Sequence, residues 1–241
     1  MIICADIHGR TFWKDAIAKK RENEKIIFLG DYLEPYPQEG ITHDMAFQNF
    51  LKIINYKKNH MDDCILLLGN HDFACIDKSM ISCRHDYMNE IRNKKTFIEN
   101  MDLFDLIYSM DIGDRKFVFS HSGIHKQWFD ESVQKDGMEE GETPWDFLNR
   151  KFKEDYKSLL GCLGIYSKFR GWTDVKYGSC IWADCREWSI EEPDYENVYQ
   201  IFGHTMLIDK PVILKHWANL DCKKPFRLDE ETGELINLED I

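Results

Sequence analysis

Short apolar runs that stop abruptly at polar residues punctuate the chain. Met1 to Asp6 leads into His8-Gly9, Lys25 to Asp31 ends in Gly30-Asp31, and Cys64 to Asp72 ends in Gly69-Asn70-His71-Asp72. Runs this short and this uniformly apolar predict strands buried on both faces, each delivering polar groups at its C-terminal end. Between the second and third, Phe47, Phe50, Leu51 and Ile54 fall at i, i+3, i+4 and i+7 behind Thr42, which predicts an amphipathic helix with Thr42 as its N-cap. Trp13, Ala16 and Ile17 predict a shorter helix after the first strand. The order β-α-β-α-β is that of a parallel sheet with helical crossovers.

Further along, Arg84 to Ser109 reads as mainly helical, with Ile98, Met101 and Phe104 on one face. Lys116 to Ser120 is another strand, ending at His121-Ser122-Gly123, and Val198 to Phe202 ends at Gly203-His204-Thr205. Pro211 to Leu220 and Phe226 to Leu238 read as closing strands, the latter turning at Thr232-Gly233. Residues 126–197 are less regular, rich in Trp, Glu and Gly, with a helix near Pro144 to Leu160. The expectation is a single domain over residues 1–241 with an insertion at about 126–197 that forms a lid or specificity loop.

Composition narrows the classes. Hydrophobic residues at 43% and charged residues at 31% are those of an ordinary globular chain. A formal net charge of −12 repels polyanions and makes extended nucleic-acid binding unlikely. No apolar run approaches the roughly 20 residues of a bilayer span, and no basic leader precedes the first strand, so no membrane association and a cytoplasmic location are expected. The eight cysteines include no Cys-x-x-Cys pair, which favours buried free thiols over a structural zinc motif. Trp145, Trp172, Trp182 and Trp188 suit core or lid packing better than stacking on a base.

The chemistry gathers at the strand ends: Asp6 and His8, Asp31, Asn70 and His71, His121, and His204. In open α/β sheets ligands bind beyond the carboxyl ends of the strands, where residues distant in sequence converge. One Gly-Asp or Gly-His pair is ordinarily a turn, but five donor-bearing strand ends in succession, each behind an apolar run, point to a shared site. A carboxylate able to bridge, several imidazoles and an amide oxygen suit two borderline ions, Mn²⁺ first and Fe or Zn²⁺ otherwise, better than Ca²⁺.

Asp6-Ile7-His8-Gly9, Gly30-Asp31, Gly69-Asn70-His71-Asp72, Ser120-His121-Ser122-Gly123 and Gly203-His204-Thr205 resemble the successive motifs of calcineurin-like metallophosphoesterases. Gly9 after the first histidine, Thr205 after the last Gly-His, Trp182-Ala183-Asp184 and Asn219-Leu220-Asp221 make the chain most similar to the phosphoprotein-phosphatase branch and its bacterial relatives. The resemblance implies a four-layer α/β/β/α sandwich with the metal site at the C-terminal ends of the strands. It gives one ion to Asp6, His8 and Asp31, and the other to Asp31, Asn70, His121 and His204, with Asp31 bridging. The implied nucleophile is a hydroxide shared by the two ions. His71 would be the general acid, and Glu34 stands where the family has the aspartate that supports it.

The implied activity is hydrolysis of a phosphate ester, of phosphomonoesterase or pyrophosphohydrolase type, on a phosphoprotein, nucleotide or small phosphorylated molecule. One departure matters: Gly30-Asp31-Tyr32-Leu33-Glu34-Pro35-Tyr36 has proline where the branch carries an arginine that grips the phosphate. Arg10, Arg84 and Arg186, together with Asn70, are the candidates to contact substrate in its place. The alternatives are a phosphodiesterase or nuclease, disfavoured by the acidic charge and the absent second histidine after Gly203-His204, and an inactive binding scaffold, disfavoured by the complete ligand set.

Overall fold

The computed structural model describes residues 1–81 and 83–240. Its strands are β1 (Ile2–Cys4), β2 (Ile26–Phe28), β3 (Cys64–Leu67), β4 (Phe104–Asp105), β5 (Tyr108–Ile112), β6 (Arg115–Phe119), β7 (Val198–Phe202), β8 (Val212–Ile213), β9 (Trp217–Asn219), β10 (Pro225–Leu228) and β11 (Leu235–Asn237). The helices are α1 (Phe12–Ala18), α2 (His43–Asn59), α3 (Asn70–Ile76), α4 (Glu90–Glu99), α5 (Lys126–Ser132), α6 (Pro144–Asp155) and α7 (Leu160–Leu163). The fold is mixed α/β with two sheets, in two compact units: Met1–Phe104 with the C-terminal segment from Cys222, and Asp105–Asp221.

In the first unit the sheet order is β11-β10-β1-β2-β3-β4. β1, β2 and β3 are parallel, with Ile2 opposite Ile26 and Ile26 opposite Cys64, and every residue of the three is buried. That double-sided burial is why their sequences run apolar without alternation. The Thr42 hydroxyl accepts the Met45 N–H at 3.1 Å and caps α2. The buried stripe of α2 is Ala46, Phe47, Phe50, Ile53 and Ile54, whereas Leu51 is 36% exposed. Leu51 lies one position past Phe50, about 100° around the helix and beyond the edge of that stripe.

The helix expected over Arg84 to Ser109 is shorter than its spacing suggested. α4 covers Glu90–Glu99 and buries Phe97, while Ile98 is 44% exposed. A single 3₁₀ turn follows at Met101–Leu103, and Phe104 is extended in β4. Aromatic packing decides the difference, because the Phe104 ring lies 5.7 Å from Phe97 and 5.8 Å from Tyr32, while Phe97 lies 4.7 Å from Phe50. Burying those rings outweighs the local pattern of Ile98, Met101 and Phe104.

In the second unit the sheet order is β5-β6-β7-β9-β8. β6, β7 and β9 are parallel, with Lys116 opposite Val198 and Gln200 opposite Trp217. The run Pro211 to Leu220 divides into β8 and β9, which pair antiparallel. Residues 126–197 supply α5, α6 and α7, and α6 buries Trp145, Phe147, Leu148 and Phe152 behind a Thr143 cap. Trp188 stacks on Phe202, which stacks on Trp217, with centroids 5.4 and 5.5 Å apart. Trp145, Trp182 and Trp188 are buried, and Trp172 is fully exposed. All eight cysteines are free thiols, and among the described residues no helix is long and apolar enough to cross a membrane.

Candidate metal centre

The loops leaving β1 and β2 remain zipped together past the ends of the strands. The His8 N–H donates to the Asp31 carbonyl at 2.6 Å and the Gly9 N–H to the Tyr32 carbonyl at 3.0 Å. Within these loops Asp6, His8, Asp31 and Glu34 take φ of 44°, 43°, 56° and 60°. Non-glycine residues in this region are strained, at a cost of about 1–3 kcal/mol each, and such residues cluster at functional sites. Gly30, at φ 104°, has no alternative, because a Cβ there would collide with the Gly69 backbone. The buried Asp72 carboxylate joins the loops of β2 and β3 by accepting the N–H groups of Asp31 (2.7 Å), Tyr32 (3.0 Å) and Gly69 (2.8 Å), which is a structural role.

Two imidazoles and one carboxylate meet in this first unit. His8, Asp31 and His71 each offer a donor atom within 4.8 Å of the others. His8 Nδ1 lies 3.0 Å from both the Leu33 and the Glu34 carbonyls, so it carries the proton and leaves the Nε2 lone pair 3.5 Å from Asp31 Oδ2. Backbone support of this kind is what orients metal-binding histidines. Burial, ahead of every neighbouring charge, pushes His8 down to about 3, so the ring is neutral, the form that binds metal. Asp31 Oδ1 accepts the His71 N–H at 3.0 Å. Asp6 is buried at the end of β1, and Asn70 is the buried first residue of α3, just beyond β3. Donor type, neutrality and orientation all fit a divalent ion.

The second unit brings its own pair together. His121 follows β6, His204 follows the parallel neighbour β7, and the Gly203 N–H donates to the His121 carbonyl at 2.8 Å. His121 Nε2 and His204 Nδ1 are 3.1 Å apart. Two nitrogens bonded to one ion at about 2.0–2.1 Å are separated by roughly 2.9–3.4 Å, so this spacing is that of a chelating pair. His204 is also left-handed, at φ 64°. The Trp182-Ala183-Asp184 segment is tied to the same loops: the Ala183 N–H donates to the Ser122 hydroxyl at 2.9 Å, and Trp182 lies edge-on to His204 at 5.5 Å.

The three candidate arginines differ sharply. Arg10 is buried, pairs with the Glu39 carboxylate at 2.7 and 2.9 Å and donates to the Asp6 carbonyl at 2.8 Å. Arg186 grips Asp184 at 2.7 and 2.9 Å. Arg84 is exposed, stacks 3.8 Å above the Tyr36 ring, and donates from Nη2 to the Glu34 carbonyl at 2.9 Å. Its own carbonyl lies 3.1 Å from His71 Nδ1. The Glu34 carboxylate accepts the Asp86 N–H at 2.8 Å, and burial chiefly raises its pKa. Sequence reasoning missed Tyr36 and Arg170. Tyr36 sits in the altered motif beside Pro35, whereas Arg170, which donates to Thr205 Oγ1 at 2.6 Å and pairs with Asp184 at 3.0 Å, has no local signal.

The Arg10 pair carries a pH dependence. Hydrogen bonding from Arg10, aided by Lys223, holds the Glu39 carboxyl down to about 2. A folded value below the unfolded one of about 4.3 stabilises the fold above roughly pH 5, and the contribution is lost as pH falls toward the folded value. Glu39→Gln is therefore expected to be less stable than the parent in urea at pH 7, with most of the difference kept at pH 4 and lost only as pH falls through about 2. A difference that is constant with pH would assign the effect to packing.

Two sheets whose strand ends deliver carboxylate and imidazole donors define a metal-dependent phosphoester hydrolase. The chain belongs to the calcineurin-like phosphoesterases, whose family profile matches residues 1–207. Among solved structures it is similar to a cold-active protein-tyrosine phosphatase from a psychrophilic Shewanella, at TM-score 0.62 and 13% identity over 98% of this chain and 76% of that one. A Saccharomyces cerevisiae protein serine/threonine phosphatase is similar at TM-score 0.51 and 13% identity, over 91% of this chain and 65% of that one. These likenesses concern the fold. No match was found among the curated proteins.

Proposed function

We propose that the chain is a two-metal phosphomonoesterase in which Asp6, His8 and Asp31 hold one ion and Asp31, Asn70, His121 and His204 hold the other. The observation that carries this reading is the His8–Asp31–His71 cluster, its donors within 4.8 Å and each fixed from behind by backbone. The His121–His204 pair supports it independently from the second unit. Mn²⁺ is assigned first, with Fe or Zn²⁺ as alternatives suited to the same donors. When bound, the ions supply activation of water and neutralisation of charge on the phosphoryl oxygens.

The side chains do the rest. His71, its Nδ1–H held by the Arg84 carbonyl, presents the opposite ring nitrogen as the acid that protonates the leaving oxygen. Glu34 steadies this arrangement through its backbone carbonyl, which takes both His8 Nδ1 and Arg84 Nη2. Arg84 grips the phosphate oxygens in place of the arginine lost at Pro35, since Arg10 and Arg186 are already paired with carboxylates. A guanidinium placed on non-bridging oxygens favours a dianionic monoester over a diester. Phosphorylated tyrosine, serine or threonine, or a small phosphorylated molecule, is the substrate class, consistent with the phosphatases of similar fold. With Mn²⁺ present, p-nitrophenyl phosphate is expected to turn over faster than bis(p-nitrophenyl) phosphate; the reverse order would make the enzyme a diesterase.

A further inference from the structure

A second donor cluster lies in the first unit, beside the proposed catalytic groups; it shares Glu34 with them, but engages its carboxylate, whereas they engage its backbone carbonyl. Glu34, Cys75 and His85 each offer a ligand atom within 4.8 Å of the others. Cys75 Sγ and His85 Nδ1 are each 4.0 Å from Glu34 Oε1. His43 Nδ1 approaches from the surface, 4.0 Å from Glu34 Oε2 and 3.4 Å from Asp86 Oδ2. The His85 side chain has no solvent exposure, yet among the described residues neither ring nitrogen has a hydrogen-bond partner. A buried imidazole unsatisfied at both nitrogens is costly and rare, and it calls for a partner other than the surrounding protein.

We propose that Glu34, Cys75 and His85, completed by His43, form a third divalent-cation site that takes a thiophilic ion such as Zn²⁺. Thiolate, imidazole and carboxylate are the donors of tetrahedral zinc, and one carboxylate with one thiolate balances its charge. Bonds of about 2.3 Å to sulfur and 2.0–2.2 Å to nitrogen and oxygen set ligand atoms roughly 3.3–3.8 Å apart. The 4.0 Å separations from Glu34 must close by roughly half an ångström, and that between Cys75 and His85, which lies within 4.8 Å, by at most about 1.3 Å, within side-chain adjustment. On binding, the Cys75 S–H bond breaks, sulfur bonds to the ion and the proton leaves to solvent, with no change of oxidation state. His43, with 48% of its side chain exposed, provides the access route. Occupancy would tie Glu34 to the 84–86 turn, whose Arg84 carbonyl faces His71.

Cobalt separates this site from the proposed dinuclear centre, because only this one contains sulfur. Titrating Co²⁺ into the metal-free chain is expected to raise a thiolate-to-cobalt charge-transfer band in the near ultraviolet, with the final intensity of one thiolate-bound ion per chain and displaced by Zn²⁺. Cys75→Ser and His85→Gln should each remove it, and the surface substitution His43→Gln, which leaves the core intact, should weaken Co²⁺ binding at least about tenfold. Absence of the band in the parent protein overturns the proposal, as does a band undiminished in Cys75→Ser and His85→Gln. The readout is independent of hydrolysis, so failure of the phosphatase reading would leave this result standing.

Discussion

Asp31→Asn is expected to keep the fold and lose hydrolysis on the order of 10³-fold, about 4 kcal/mol of transition-state stabilisation. Asparagine has the same shape, and its side-chain oxygen can still accept the His71 N–H that Asp31 Oδ1 accepts at 3.0 Å. It also tolerates the left-handed conformation at φ 56° better than any other substitute except glycine. The backbone groups of Asp31 remain tied to His8 and Asp72. Stability should therefore change by less than about 1 kcal/mol, while the charge that joins the proposed pair of ions is gone. Elemental analysis should find fewer ions per chain than in the parent, and urea unfolding should superimpose on that of the parent. Full activity with undiminished metal content would remove Asp31 from the bridging position.

What the sequence made legible follows from how locally each feature is specified. The strand ends of β1, β2, β3, β6 and β7 could be read because apolar runs, unbroken in the first three and closing on Phe117-Val118-Phe119 and Ile201-Phe202 in the last two, report burial, and the polar residues that follow mark where the chain leaves the sheet. Residue types at those ends announced the donors. Their conformation did not show: nothing in the letters of Asp6, His8, Asp31 or His204 says that each is left-handed. The helical stretch was misjudged at Phe104 because that ring answers to Tyr32 and Phe97, partners that a spacing rule cannot see. Arginine roles were equally hidden. Pro35 revealed that a guanidinium was missing, but only the carboxylates facing Arg10 and Arg186 separate them from Arg84. His85 was silent for the same reason, since a histidine's burial and its lack of hydrogen-bond partners among the described residues belong to the fold alone.

His71→Asn isolates proton donation from metal binding. The asparagine amide can take over the hydrogen bond that His71 Nδ1 makes to the Arg84 carbonyl at 3.1 Å, and the backbone N–H to Asp31 is untouched, so metal content should stay at the parental level. What disappears is an acid for the leaving oxygen, worth about 10²–10⁴-fold where that oxygen departs as a poor leaving group. An alkyl phosphate such as phosphoserine should therefore slow by that factor. p-Nitrophenyl phosphate, whose phenolate leaves readily without a proton, should slow only a few-fold. Because the acid must be protonated to act, the fall in rate on the basic side of the parental pH profile should flatten in the variant. An equal loss on both substrates with loss of metal would instead make His71 a ligand, a role its place beside His8 and Asp31 also allows. The ratio of the two losses, read at constant metal content, therefore decides between proton donor and metal ligand.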